Sequence, residues 1–504
     1  MKKVIIAGAC AMALFGLAQC NNSKTDDGAK APKGAVKPVP FPTVNIPGFK
    51  FPEDSNTINT WLTNMDTTSI TRHGWGIWAG LTTKSGYQSS GEDMYVFETW
   101  DSPSDLQDSL RHMKAVNDDT ANHRKTLHRP NQLEHAANNA LKIALSNGNT
   151  KAITVSKVKM PRCDSPQSAI GSYDSTLLVT VAYDIPAASH ILSQTLYDST
   201  TLKSMYDKKM TDIPEFPNSS IAIKPTYQII PASKVVNGVF PFRVYCGPNN
   251  CDSGYAQNQW PGLVYVNTTL ASDIATGIDM GKDGANASNT YSLNSFIHYT
   301  LSARDAEGIN KANINNPGAL QVSKGDIAIM VGMHVTTKEI KRWTWQTYWW
   351  TPDANNPPSP SSAFIAGLRP KEITGAPAHY AMAIAYSFTW PNQPYSGGNY
   401  NGVPQIAFNP FLEAGFGWSG TNATFFKAGI VIPKKNDTIF NRVGCQTGCM
   451  SCHALATFNP SLPRNHQNNN YIPDTYIDMV TDSNFRDAIK LDFLWSIQAS
   501  VIKK

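Results

Sequence analysis

The sequence predicts a mostly β protein with some α: a large antiparallel, sandwich-like body of one or two subdomains, closed by a short helical segment at the C terminus. Three observations carry this. Short β-branched and aromatic runs recur between Asn, Gly and Pro through the second half of the chain. Two of them, 326–336 and 342–350, stand five residues apart, a spacing suited to a hairpin. The chain has 504 residues with 16% charged and 41% hydrophobic side chains, enough apolar surface for a core that needs no disulfide scaffold.

In chain order, Met1-Lys2-Lys3 and the apolar run 4–18 have the form of a secretory signal, too short to span a bilayer. The run ends Gln19-Cys20, which resembles a bacterial lipobox, where Cys20 becomes the lipidated first residue. An ordinary signal peptide with an incidental Cys20 is the alternative. Residues 1–19 are thus read as a lipoprotein signal. Residues 20–55, with Pro38, Pro40, Pro42 and Pro47, are read as a semi-extended tether. Together they predict export to the periplasm or cell surface and a membrane anchor through lipid, with Asn21 favouring the outer membrane. The net charge of +5 is too weak a field to recruit nucleic acid.

Residues 56–215 read as a mixed α/β part of the body. It holds strand-like pieces at 73–78 and 94–100, and a helix through Leu133, Ala137, Leu141 and Leu145 closed by Gly148. A strand at 176–183 follows, then a helix opened by Pro186. Residues 216–436 read as β-rich, with strands at 221–230, 242–246, 263–266 and 296–301 before the hairpin, and an alternating run at 380–388 after it. Within 326–336, Ile327, Ile329, Val331, Met333 and Val335 form a bulky face; Ala328, Met330, Gly332, His334 and Thr336 form a smaller one. The 380–388 run repeats the pattern, with His379, Ala381, Ala383 and Ala385 on its smaller side. Residues 437–504 form the last segment, and 484–498 predicts a terminal helix.

That segment carries Cys449-Met450-Ser451-Cys452-His453, the C-x-x-C-H attachment signature of c-type haem. Two thiols one helical turn apart meet the two vinyl groups on a porphyrin edge, and the adjacent His brings its imidazole under the iron. With 8 Cys and 11 His in the chain, such a string arises by chance roughly 0.003 times. A Cys449–Cys452 disulfide with His453 as bystander is the alternative, and it lacks the βαβ setting such motifs use. One covalent haem c is therefore predicted, attached at Cys449 and Cys452 with His453 as proximal iron ligand. For the distal position the segment offers Met479 or His466, and the body offers His334 or His379.

The other cysteines are consistent with export. Cys246 and Cys251 flank a turn-rich segment that can close as a small disulfide loop, which leaves Cys163 and Cys445 as a second pair. Trp343, Trp345, Trp349 and Trp350 either line a sugar-binding face or fill a core. The stretch from Asp279 to Gly284 has Gly where an EF-hand needs its second ligand and Thr290 at the twelfth position, so it is not one. There is no H-E-x-x-H, phosphate loop, G-x-S-x-G or dinucleotide fingerprint.

The stretch from Gly448 to Ala456, the closing residues from Leu491 to Ile497, and Gly332 to Ile340 before the Trp-rich strand resemble a group of exported bacterial cytochrome c family proteins with a single late haem signature. The resemblance implies attachment at Cys449 and Cys452, ligation by His453 and electron transfer, and it implies no substrate. The main expectation is a lipid-anchored mono-haem c-type cytochrome that exchanges electrons with a partner protein or a small donor or acceptor in the cell envelope. Two others stay open. One is a haem-containing oxidoreductase or peroxidase-like enzyme with its substrate site in the body around His334. The other is an aromatic-faced carbohydrate- or surface-binding module, using Trp343 and Trp345, that carries a haem.

Overall fold

The computed structural model describes residues 36–89, 91–115, 177–247, 257–269, 275, 277–312, 321–396, 403–414, 430–432, 437–439, 448–461 and 476–502. The signal with Cys20, the helix expected over 133–145, and Cys163, Cys251, Cys445 and His466 lie outside the described residues. No helix among the described residues is long and apolar enough to cross a membrane.

Helices α1 (Ser55–Thr63) and α2 (Thr67–Leu81) open on Asp54 and Asp66, whose carboxylates accept first-turn backbone amides. The expected strand at 73–78 lies inside α2. Ile70, Gly74, Trp78 and Leu81 share one helical face, and that face docks on the main sheet: Trp78 stacks on Tyr348 with ring centroids 4.4 Å apart, and Tyr348 Oη donates to the Gly74 carbonyl at 2.6 Å. Gly76 and Gly80 are slots on the same helix. A Cβ there would stand 2.0 Å and 2.1 Å from the rings of Phe49 and Phe41. The end of the expected tether is therefore packed on the body. Val36 is buried, Thr99 Oγ1 accepts the Val39 amide, and Trp100 Nε1 donates to the Val39 carbonyl. The prolines keep this segment out of a ladder, and its aromatic rings still bury.

The chain continues through the hairpin β1 (Lys84–Ser89) and β2 (Glu92–Tyr95) and helix α3 (Pro103–Ala115). Strands β3 (Leu177–Val179) and β4 (Ala182–Tyr183) follow. Helix α4 (Ile185–Ser193) is capped by Asp184 with Pro186 in its first turn, as predicted, and α5 (Ser199–Asp207) comes next. Then come β5 (Ile221–Ile230), β6 (Val239–Val244), β7 (Gly262–Asn267), β8 (Thr290–Ser292), β9 (His298–Thr300), α6 (Ala303–Ala312), β10 (Ile327–Thr337), β11 (Thr344–Trp350), α7 (Ala363–Gly367) and β12 (Tyr380–Ile384).

The main sheet has seven strands and is antiparallel throughout. Its order is β12-β11-β10-β5-β3, with β4 also on β5 and β9 on β10, and β10 and β11 form the predicted hairpin. A smaller sheet, β6-β7-β8, meets it where Phe242 packs edge-on against Trp350. The main sheet carries α2 on one face. After it come β13 (Thr389–Trp390), β14 (Val403–Pro404), α8 (Pro410–Glu413), β15 (Ile430–Ile432), β16 (Asp437–Ile439), α9 (Cys449–Ala454), β17 (Thr457–Phe458), β18 (Ile489–Lys490) and α10 (Trp495–Ser500); of these, α8 contacts β10 and α9 contacts β11 on the other face. The body is rich in antiparallel sheet, as predicted, and departs from it where β8 pairs with β7 in parallel.

Three further local expectations differ. The strand expected at 94–100 ends at Tyr95, and Val96–Thr99 forms a 3-10 turn. The terminal helix is interrupted: Asp487, Asp492 and Phe493 take positive φ, which breaks helical hydrogen bonding and leaves β18 and the short α10. His379 ends a 3-10 turn (Ala376–His379) and does not project from the strand.

Candidate functional site

Residues paired across antiparallel ladders share a face, so the registers define what each face of the main sheet presents. One face runs in three rows. The first is Thr226, Gly332, Trp349 and Ala381; the second is Lys224, His334, Thr347 and Ala383; the third is Ala222, Thr336 and Trp345. Most of these side chains are small. The patch extends about 13 Å along the strands and about 14 Å across them. The opposite face presents Met333, Val335, Tyr348, Met382 and Ile384 to α2. The alternation read from 326–336 thus separates the faces correctly.

The small-residue face holds the later segments closely. At Gly332 an added Cβ would stand 2.5 Å from Asn409 Nδ2, which donates to Thr347 Oγ1 at 3.0 Å and to the Tyr348 carbonyl at 2.8 Å. Asn409 caps α8, and Glu413 ends it. One carboxylate oxygen of Glu413 accepts the Asn409 backbone amide, and the other accepts His334 Nε2–H at 2.6 Å. The sheet and α8 together fix the orientation of the His334 ring.

Helix α9 is the haem signature itself, beginning after Gly448. Cys449 and Cys452 lie one turn apart and are not joined by a disulfide. Burial pushes the Cys449 thiol far up, and the Glu413 carboxylate adds to it. The His453 ring lies against Trp345, centroids 4.4 Å apart, and its Nδ1 is 2.8 Å from the Phe493 carbonyl oxygen. A carbonyl only accepts, so Nδ1 carries the hydrogen and the lone pair is on Nε2. Burial lowers the pKa of His453 to about 3, and Lys224 and His334 push in the same direction, so the imidazole is neutral at physiological pH.

The Phe493 carbonyl is itself held. Asp492 and Phe493 have φ of +46° and +66°, a costly conformation for non-glycine residues. The Asp492 carboxylate ties the turn down: Oδ1 accepts Lys338 Nζ at 2.7 Å and Trp343 Nε1–H at 3.1 Å, and Oδ2 accepts the Phe216 amide at 3.2 Å.

The structure corrects one expectation about the tryptophans. Trp343 and Trp345 are 0% and 3% exposed, so they form no aromatic face towards solvent; one anchors Asp492 and the other backs His453. His379 lies beyond the Thr226–Ala381 row, away from the His334 row. Met479 is buried in the segment after Tyr476, whose ring packs edge-on against Phe388. Cys246 is a free thiol, and its expected partner Cys251 is outside the described residues. In the rejected calcium-like loop, the Asp279 carboxylate accepts the amides of Gly281, Lys282, Asp283 and Gly284 and the Tyr265 hydroxyl. Sequence reasoning missed Lys224, Asn409, Glu413 and the Phe493 carbonyl, because each acts through strand register or backbone geometry and not through a motif.

A haem fits these residues on several counts. Lys224 is half-buried where the rest of β5 is buried, and His334, directly opposite, is the half-buried position inside β10. In the adjacent row, Thr226 Oγ1 and Trp349 Nε1 are buried without a hydrogen-bond partner. Buried polar atoms are normally satisfied, and the carboxylate arms of a haem are acceptors of the kind they lack. Among the described residues no three His, Cys, Asp or Glu side chains are grouped to hold a bare metal ion, whereas porphyrin iron takes only one or two protein ligands. No protein-family model, no curated protein and no solved structure matches the chain.

Proposed function

We propose that the protein is a mono-haem c-type cytochrome that carries its haem on Cys449 and Cys452, against the small-residue face of the main sheet, and exchanges electrons with a redox partner. In this reading the short haem segment depends on the body, which supplies the surface it lies on. The N-terminal signal and Cys20 place the protein in the cell envelope, lipid-anchored, with the outer membrane favoured.

The observation that carries the reading is the state of His453. Its Nδ1–H is fixed by a backbone carbonyl and its Nε2 carries the lone pair, on the same helical turn as two cysteines that are in no disulfide. Metal-ligating histidines are oriented in this way, by a hydrogen bond from the ring nitrogen that does not face the metal. When bound, the iron supplies one-electron chemistry. The protein's residues would hold the group: the two cysteines by thioether bonds to the porphyrin, His453 by its fixed tautomer toward the iron, Trp345 by backing the imidazole, and the Lys338–Asp492–Trp343 set by keeping the Phe493 carbonyl in place. Burial of this region keeps water from the ring.

The test is the exported, purified protein. Its mass should exceed that of the chain by one haem, and its c-type absorption should survive acid–acetone extraction. Cys449→Ala with Cys452→Ala should lose both signals. Extractable haem, or none, overturns the reading.

A further inference from the structure

We propose that Arg342 is the seat of a carboxylate brought by a ligand, a site beside Phe388 and Tyr395 that takes the single negative charge of an organic acid. The site is independent of the haem reading.

Arg342 lies in the connection between β10 and β11 and is only 8% exposed. Its Nη2 donates to the Gln393 carbonyl at 2.6 Å and to Asn392 Oδ1 at 3.1 Å. Its Nη1 is buried and has no hydrogen-bond partner. No ion pair joins Arg342 to a carboxylate among the described residues. The carboxylates whose charge reaches the adjacent Tyr395 hydroxyl are committed elsewhere: Glu215 and Asp492 to Lys338 at 3.0 Å and 2.7 Å, and Asp212 to Lys490 at 3.2 Å. Burial lowers the pKa of Arg342, and no carboxylate acts on it in the other direction.

A guanidinium keeps its charge in a protein, and a buried charge without a counter-charge is costly. The two neutral oxygens on Nη2 satisfy one nitrogen and leave that charge unbalanced. A water on Nη1 would satisfy its hydrogens and not its charge; a carboxylate does both. The surroundings narrow the class further. Phe388 and Tyr395 have their ring centroids 5.0 Å and 5.9 Å from the guanidinium carbon, apolar flanks for the carbon chain of an organic acid. The exposed Lys341, over the Tyr395 ring at 4.6 Å, draws anions to the rim. A dianion such as phosphate would bring a charge that one guanidinium does not balance, with Asp492 and Glu215 close by.

Entry is from the surface. In the strip 391–396 that covers the guanidinium, Pro391, Pro394 and Ser396 are exposed, and Asn392 and Tyr395 are half-buried. A small ligand reaches Nη1 by moving side chains of this strip, whose backbone is held where Tyr476 Oη donates to the Pro394 carbonyl at 2.6 Å.

Thermal unfolding of the purified full-length protein would be followed in sodium propionate, and in sodium chloride at the same ionic strength. With a free acid as the ligand, the expected result is a saturable rise in Tm with propionate, about 3 °C at a hundredfold excess over Kd, and none with chloride. Arg342→Met should weaken the response about tenfold or more, and Arg342→Lys, which keeps the charge, should retain part of it. An equal rise in chloride, or a rise unchanged in Arg342→Met, overturns the inference. The same carboxylate chemistry is carried by the arms of a haem, and that source gives a different result. The parent then does not respond, Arg342→Met lowers its Tm, and the chain with Cys449→Ala and Cys452→Ala, which has no covalent haem, responds to propionate. Absence of a response in both chains overturns the inference. So does an unresponsive parent whose Arg342→Met variant unfolds at the same or a higher temperature, since no carboxylate is then paired there; if the double variant does not fold, this comparison decides alone. A parent that responds to propionate and carries no covalent haem leaves the site standing and overturns only the haem reading.

Discussion

The two faces of the main sheet each bury a histidine, and the two are finished differently. On the α2 side, His73 of that helix has both ring nitrogens engaged: Nδ1 with Tyr386 Oη at 2.7 Å and Nε2 with Glu339 Oε1 at 3.1 Å. The same Glu339 accepts the Glu53 amide and the Thr337 hydroxyl, and Tyr386 Oη accepts Gln346 Nε2. Nothing on that ring is left for a ligand. On the small-residue face, His453 has one nitrogen fixed and one free, and two buried donors two rows away, Thr226 Oγ1 and Trp349 Nε1, have no partner among the described residues. Burial and polarity are common to both faces. What separates a site from a structural brace is the unspent hydrogen-bonding capacity, and on the α2 side only Gln346 Oε1 is left over in that cluster.

The contrast is broken most directly by removing one histidine from each face. His73→Ala deletes two hydrogen bonds and leaves the buried Glu339 without its ring partner, which should cost about 3–5 kcal/mol of stability. Its holo-protein spectrum should be that of the parent. His453→Ala should do the reverse, changing the spectrum through loss of the iron ligand. Denaturant titration and absorption spectra on both variants decide it; a spectrum disturbed equally by the two would erase the distinction between the faces.

A smaller effect sharpens the role of Gly332. The methyl of Gly332→Ala would meet Asn409 Nδ2 at 2.5 Å, and that amide cannot retreat without giving up its bonds to Thr347 and Tyr348. Overpacking of this kind costs about 1–3 kcal/mol. Because Asn409 and Glu413 belong to the same short helix, the variant should also loosen His334. A midpoint of denaturation equal to the parent's would show that α8 does not rest on the sheet at Gly332.

The sheet was legible in the sequence where a period of two could be followed, and so was the C-x-x-C-H string, which is contained in five consecutive residues and folds as one helical turn. The alternation through 326–336 assigned Gly332 and His334 to the small face. Helix α2 was not legible, because glycines at 74, 76 and 80 weaken a helix locally and because the aromatic residues between them favour strands. Packing overrides both preferences, since the glycines are where Tyr348, Phe49 and Phe41 come close. The partners of the site were hidden for related reasons. Opposing Lys224 to His334 requires the register of β5 on β10, which shifts between Met330 and Gly332. Fixing His453 requires a carbonyl 40 residues away, set by two non-glycine residues at positive φ, which no residue type announces.

The smallest prediction compares two buried carboxylates. Glu339 is surrounded by donors, whereas the Asp184 side chain accepts the Ala187 amide as cap of α4, and burial raises its pKa to about 8. The folded protein therefore holds a proton on Asp184 between about pH 4 and pH 8, where the unfolded chain, with an ordinary aspartate, has released it. The unfolded state binds fewer protons in this window, so stability falls as pH rises through it, by at most about 1.4 kcal/mol per pH unit. Asp184→Asn keeps a side-chain oxygen to cap the helix and removes the ionisation. Urea unfolding at pH 6 and pH 7 should show a loss for the parent and a smaller one for Asp184→Asn. If the two proteins lose stability in parallel, Asp184 is already ionised in the fold, held so by the amides around it.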